Sequence, residues 1–315
     1  MKRILVTGAG GQIGSELVPA LRAIHGGENV LATDLRSPSG PDLDAGPFQI
    51  MDATDARAIG ATAMRFEADT IYHLAAILSA VGERDPRLAY DVNMNGLISV
   101  LEVAREQNLA VFVPSSIAAF GPSTPSDPAP QDTIQRPTSM YGVTKVSGEL
   151  LCDYYHLRYG VDVRGVRFPG IISHGAPPGG GTTDWAVDIF YHAARGENYT
   201  CFLAEGSQLD MMYMPDAVRA AIGVMDADPD SLEHRNAFNV TAMQLAPKDL
   251  AATIAKHVPG FEISYDVDPM RQAIADSWPN RIDDSAARSE WGWRHQFDME
   301  AMTVDMLDNL KRKLS

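Results

Sequence analysis

The chain has 315 residues, 45% hydrophobic and 21% charged, which suits a globular protein with a large core and room for two lobes. Its formal charge of −15 repels nucleic acid and anionic lipid, so neither is an expected partner. Two cysteines without a CxxC pair make no disulfide framework, and eight histidines without an HExxH spacing give a metal centre no support.

No apolar run approaches the ~18 residues that a bilayer span needs, and the N-terminus lacks the apolar stretch of an export signal. A cytoplasmic protein in a reducing compartment is expected.

The first predicted strand, residues 4–6, runs into the loop of TGAGGQIG and a predicted helix at 12–24. Gly8, Gly11 and Gly14 stand between strand and helix at the spacing of a dinucleotide-binding turn, with the helix N-terminus free to meet phosphate. A second strand at 30–33 leads to Asp34, an acid at the distance that suits the ribose hydroxyls of NAD. A carboxylate there also opposes the extra phosphate of NADP, by roughly 4 kcal/mol per like-charge pair as an upper figure. Arg36 softens that opposition. After a third strand, Asp52 either reaches toward an adenine or caps the next helix, 55–67.

A strand at 70–74, a helix at 86–107 and a strand at 110–114 continue the alternation. The last of these delivers Ser116, placed to hydrogen-bond a substrate oxygen. In the helix at 141–159, Tyr141 and Lys145 lie four residues apart, on one face and one turn apart. Oxidising an alcohol by hydride transfer needs a base for the hydroxyl proton. A free phenol ionises near about pH 10, and a neighbouring ammonium favours its phenolate. A sixth strand at 163–167 precedes a Gly/Pro-rich segment, 174–183, which reads either as a plain surface loop or as a lid.

Beyond it the pattern gives a helix at 184–195, a strand–helix pair at 211–225, a strand at 238–241 and a helix at 248–257. The predicted architecture is α/β: a doubly wound parallel sheet of Rossmann type with a smaller, interleaved substrate-binding lobe. The expected cofactor domain spans 1–172 and takes in about 211–241. The lobe spans 173–210 and 242–315.

TGAGGQIG, HLAA (73–76), the N-x-x-G of Asn93 and Gly96, SSIAAFG (115–121) and YGVTK (141–145) resemble the extended short-chain dehydrogenase/reductase superfamily. The resemblance implies Ser116, Tyr141 and Lys145 as catalytic residues, and Asn93 as support for the proton relay. It implies cofactor contacts from Leu74, Ala75, Ala76, Pro169 and Ile171, joined by Gln12, Ile13, Leu35, Arg36, Ala53 and Ser115. Within that superfamily, PGGGTTDWAV and IADSWP are similar to the short-chain L-threonine 3-dehydrogenases.

That likeness implies an NAD-dependent oxidation of a small zwitterion. Gly181, Thr182 and Thr183, at a helix N-terminus, then offer donors to its carboxylate, with simple capping by Thr183 as the alternative. Ser79 is expected near the substrate. Trp278 either shields the site or fills the core. The other readings are a nucleotide-sugar epimerase/dehydratase and a non-catalytic NAD-sensing regulator; the latter has no use for Tyr141 and Lys145. In the superfamily the helices at 86–107 and 141–159 form a two-fold interface, so a homodimer is expected.

Overall fold

Ile4 and Val6 pack on one side of the first strand and Leu5 on the other, and all three are fully buried. A strand with apolar residues on both faces belongs in the middle of a sheet covered twice. The computed structural model describes residues 3–37, 45–175, 177 and 181–314.

The chain opens with β1 (Ile4–Thr7), α1 (Gly14–His25), β2 (Val30–Asp34), β3 (Phe48–Ile50), α2 (Ala56–Phe66) and β4 (Thr70–His73). Next come α3 (Ser79–Arg84), α4 (Pro86–Tyr90), α5 (Gly96–Gln107), β5 (Ala110–Phe112) and β6 (Ser115–Ser116). They are followed by α6 (Met140–Tyr159), β7 (Val163–Arg164), β8 (Val166–Phe168), β9 (Gly170–Ile172), α7 (Trp185–Ala194), β10 (Tyr199–Cys201) and β11 (Leu209–Tyr213). The rest supplies α8 (Met214–Asp226), β12 (Phe238–Asn239), β13 (Met243–Leu245), α9 (Pro247–His257), β14 (Ile263–Tyr265), α10 (Pro269–Asp276), α11 (Ser285–Glu290) and α12 (Met299–Leu314).

Six parallel strands form the central sheet in the order β3-β2-β1-β4-β5-β7. Helices α1 and α8 cover one face through Leu17, Leu21, Ala217 and Val224. On the other face Ile59, Val100, Leu101 and Cys152 pack from α2, α5 and α6. A third apolar cluster joins α7, α9 and α12 to β10 and β11 around Trp185, Phe190, Ile254 and Met306. The doubly wound parallel sheet is therefore as expected. No helix among the described residues is long and apolar enough to cross a membrane.

Two of the expected elements are divided in the structure. The expected strand at 163–167 is two: β7 pairs with β5, and beyond Gly165 the chain changes sheets, so β8 lies between β6 and β12. The expected helix at 86–107 is interrupted by a π turn, Asp91–Asn95, between α4 and α5. The wider turn accommodates an extra residue per loop of backbone, and such turns gather at functional sites. Here it carries Asn93. Pro19, for its part, stays inside α1 without ending it, at the cost of one backbone hydrogen bond.

Buried carboxylates tie late segments to early ones. Asp210 on β11, 1% exposed, accepts hydrogen bonds from Thr241 Oγ1 and from the Ile282 N–H, the latter at 2.8 Å. Burial raises its pKa from the usual 3.8 to about 7. The folded state thus holds a proton that the unfolded chain releases near pH 3.8, so this group's stabilising contribution is complete below that pH and is lost as pH rises through 7. Asp210→Asn removes the titration. Its unfolding free energy relative to wild type should climb between pH 4 and 8 by on the order of a few kcal/mol in denaturant melts. A flat difference across that range would refute the assignment.

Candidate active site

Strand order reverses between β1 and β4, and a crevice opens beyond their carboxyl ends, where open α/β sheets bind ligands. The first wall is the loop after β1. Gly8 has φ +71°, and a Cβ there would meet the Ala75 backbone nitrogen at 2.5 Å, so neither the turn nor the neighbouring chain tolerates a side chain. Among the described residues, its chain neighbours aside, only the Gly8 carbonyl lies within 4 Å of the space a Gly11 side chain would fill. No side chain among the described residues caps the N-terminus of α1. A bare loop ending at an uncapped helix suits a pyrophosphate. At the loop's edge, Asp34 Oδ2 accepts from the Gly10 N–H at 2.9 Å.

One cleft brings together Gly8, Gly11, Gln12, Ile13, Gly14, Leu74, Ala76, Ser115, Ser116, Tyr141, Lys145, Pro169 and Ile171. Ser79, Gly181, Thr182, Thr183 and Trp278 close it from the other side. Ala75 and Asn93 line an adjoining small cavity behind Lys145. Asp34, Leu35, Arg36, Asp52 and Ala53 lie outside the cleft wall, at the ends of β2 and β3. Asp52 accepts from the Thr54 amide and hydroxyl, both at 2.8 Å, and the cap of α2 is Asp55 instead. Among the described residues no cluster of His, Cys, Asp and Glu forms a metal site.

Tyr141 sits in the first turn of α6, which Ser139 caps through the Gly142 N–H at 3.1 Å. A Cβ on Gly142 would stand 2.3 Å from the Ala118 carbonyl. Only glycine lets this helix end press against the turn at 117–119, whose own cap is Ser116. Lys145 Nζ donates to the Pro114 carbonyl at 2.7 Å and stands 5.3 Å from the centre of the Tyr141 ring. Asn93 accepts from the Ile77 N–H at 2.7 Å and donates to the Ile77 carbonyl and Thr144 Oγ1. Beneath the cleft His73 Nδ1 meets Thr7 Oγ1 at 2.8 Å, and burial lowers its pKa to about 4, so it is neutral near pH 7.

The expected cap by Thr183 is not found. Helix α7 begins after Asp184, the residue following Thr183, and among the described residues no side chain caps it; the Asp184 Oδ2 instead turns back to accept from the Gly181 N–H at 2.7 Å. Thr182 Oγ1 is buried and has no hydrogen-bond partner among the described residues. Ala176 and residues 178–180 of the Gly/Pro-rich segment, Gly179 and Gly180 included, lie outside the described residues.

The stem of that segment is fastened twice. Ser173 Oγ donates to Glu16 of α1, a carboxyl whose pKa burial raises, and Lys313 Nζ of α12 donates to the Gly175 carbonyl at 2.8 Å.

Leu78, Ile117, Phe168, Gly170 and Asp184 also line the cleft and escaped the sequence reading. Each adjoins a residue that was found, so nearness in sequence was the available signal. Ser115 lines the cleft, but its hydroxyl turns away to donate to Glu149.

For the unaltered protein a much tighter dissociation constant for NAD+ than for NADP+ is expected from the sequence reading of Asp34 as the ribose-side acid, whose charge would oppose an added phosphate. Asp34→Ala should narrow the ratio and also loosen the Gly10 turn. Equal binding of the two cofactors by wild type would overturn the assignment.

Residues 4–241 match the NAD dependent epimerase/dehydratase family. An uncharacterized epimerase/dehydratase of Staphylococcus saprophyticus is 54% identical over 99% of this chain and 98% of its own length. The solved L-threonine dehydrogenase of Clostridium difficile has a TM-score of 0.98 at 54% identity, covering 99% of this chain and 98% of that one. A GalE-like L-threonine dehydrogenase from Cupriavidus necator, in its holo form, gives 0.95 at 50% identity over 98% and 100%. Glycine cradle, Tyr–Lys pair and whole-length likeness agree, and the chain belongs to the NAD dependent epimerase/dehydratase family.

Proposed function

We propose that the protein is an L-threonine 3-dehydrogenase, oxidising L-threonine with NAD+ to 2-amino-3-oxobutyrate and NADH. The observation that carries this is that one cleft is lined by Tyr141, Lys145 and Ser116 together with Thr182, whose hydroxyl is buried and has no partner among the described residues. A donor without a partner at a buried position awaits an acceptor, and a substrate carboxylate is one. Likeness to solved L-threonine dehydrogenases supports the same reading.

Bound along the 8–14 loop, with Asp34 on the ribose and Leu35, Arg36, Asp52 and Ala53 toward the adenine, the cofactor supplies the hydride acceptor. Tyr141 takes the substrate's hydroxyl proton at its phenolic oxygen. Lys145, steered by the Pro114 carbonyl, favours the phenolate through its positive charge. Ser116 donates to the substrate oxygen as it becomes a carbonyl. Thr182 and the neighbouring 181–183 backbone receive the carboxylate, while Trp278 and Leu78 exclude water beside the methyl group. In this reading the segments 173–210 and 242–315 act as the substrate-binding lobe and the earlier sheet as the cofactor domain.

Mixing the protein with NAD+ and each of the twenty amino acids tests this by absorbance of reduced nicotinamide, with L-threonine the expected substrate. Tyr141→Phe should lower kcat by about 100- to 10,000-fold and still bind NAD+. L-Serine, one methyl shorter, should react about 10- to 200-fold less well. No NADH from L-threonine, or Tyr141→Phe within a few-fold of wild type, would sink the proposal. Turnover of a nucleotide sugar instead would select the epimerase alternative.

The proposed assembly is a homodimer. Leu88, Leu150 and Leu157 on α4 and α6 are 43%, 62% and 83% exposed, an apolar face of the kind that partners cover. Val92 is half-buried, and Leu151 packs inward against the core. Light scattering should give twice the monomer mass, and Leu150→Glu with Leu157→Glu should halve it. A monomeric wild type at working concentration would exclude the assembly.

A further inference from the structure

Behind the cleft lies a buried ion pair that the proposed reaction does not use. Glu149 of α6 and Arg167 of β8 have side chains at most 7% exposed and meet at 2.8 Å. Glu149 Oε1 accepts from Ser115 Oγ and from Arg167 Nε at 3.0 Å, and Oε2 accepts from Arg167 Nη2 and from Gln135 Nε2 at 2.7 Å. Arg167 Nη1 donates to the Gln131 carbonyl at 2.8 Å and to Asn239 Oδ1 at 3.2 Å. Its guanidinium also lies 5.2 Å from the Phe120 ring centre.

Such a pair is weak evidence for stability. Desolvation offsets most of the attraction, and a well-packed apolar pair of similar volume is often as stable or more so. What distinguishes this one is its neighbours. Ser115 directly precedes Ser116. Arg167 is followed by Phe168 and Pro169, both in the cleft wall. Glu149 stands one helical turn beyond Lys145, which stands one turn beyond Tyr141, all on one face of α6. Helix α6 therefore grips the 114–115 dipeptide at two points: Lys145 holds the Pro114 carbonyl, and Glu149 holds the Ser115 hydroxyl.

We propose that Ser115, Glu149 and Arg167 form the positioning unit of the active site, fixing Ser116 and Lys145 relative to Tyr141. The proposal rests on the hydride-transfer roles given above to those three residues. It also explains the two adjacent serines: one faces the chemistry, and the other is the handle by which the first is held. A carboxylate with two oxygens and a forked guanidinium set distance and angle together, which apolar packing does not. The placement of groups within a fraction of an ångström is what catalysis requires of its supporting residues.

The test replaces the pair with an apolar one, Glu149→Leu together with Arg167→Met, and separately makes Ser115→Ala. The double variant should melt within about 4 °C of wild type or above it. Its NAD+ dissociation constant and its KM for L-threonine should stay near wild type. Its kcat should fall by about 10- to 100-fold, the scale of a misplacement near 1 Å. Ser115→Ala should lower kcat by a smaller factor in the same direction, and it carries the test if the double variant does not fold.

A crystal structure of whichever variant folds should show the contact between Lys145 Nζ and the Pro114 carbonyl lengthened or lost. A folded variant that keeps both wild-type kcat and that contact would overturn the proposal. If wild type makes no NADH from L-threonine, the reaction reading fails. The contact in the variant then decides the positioning role alone: its loss supports the role, and its survival refutes it.

Discussion

The cleft exists because β1 and β4 lie side by side. Thr7 of β1 is paired with His73 of β4, and the Leu74 N–H donates to the Thr7 carbonyl just past the pairing. Chain leaving β1 turns toward β2, and chain leaving β4 turns the other way toward β5, so the two exits diverge and leave a gap. Gly8 lets the gap narrow at its floor, and the buried Thr7–His73 contact keeps the two strand ends level. The sites at Gly11 and Ala76 are consequences of that divergence, since each lies on the first stretch of chain beyond β1 or β4.

Much of this was legible in residues whose role is local. The glycine loop announces itself because a turn with positive φ, a strand before it and a helix after it leave few residue choices. Tyr141 and Lys145 could be paired because helical geometry alone puts them on one face. What could not be read is what depends on distant partners. SS at 115–116 gives two identical hydroxyls, and only Glu149, 34 residues on, decides which of them is turned away. Residues 86–107 carry helical periodicity throughout, and the π turn coincides with Asn93 reaching the distant Ile77 and Thr144. Thr183 has the chemistry of a cap, but the helix starts one residue later, at Asp184, whose carboxylate turns back to the Gly181 amide. The C-terminal helix also passed unread, although Met302, Met306 and Leu310 repeat at its buried face.

A second pattern concerns charge. The protein carries an acidic excess on balance, yet several carboxylates work inside it, accepting donors from irregular backbone and polar side chains that have no ladder to join. Asp216, fully buried in the first turn of α8, accepts from the Gln296 and Phe297 amides and so docks the chain leading into α12. Asp210 does the same for Ile282. Loops that border a cleft expose amides on both sides, and a buried carboxylate with four lone-pair directions satisfies more of them than any neutral group. The cost is desolvation, visible in the raised pKa of Asp210.

The double fastening of the Ser173–Gly175 stem has a consequence for how the protein comes into being. Its first anchor, Glu16, is present almost as soon as synthesis begins, while its second, Lys313, is separated from Gly175 by 138 positions. At the roughly 5–20 residues per second of synthesis, the stem waits several seconds or longer between the two. During that interval the cofactor sheet has every strand from β1 to β7, but the substrate side of the cleft is held only at one end. The two halves of the site therefore mature at different times, with the dinucleotide cradle first and the opposite wall only once residue 313 is free to reach Gly175.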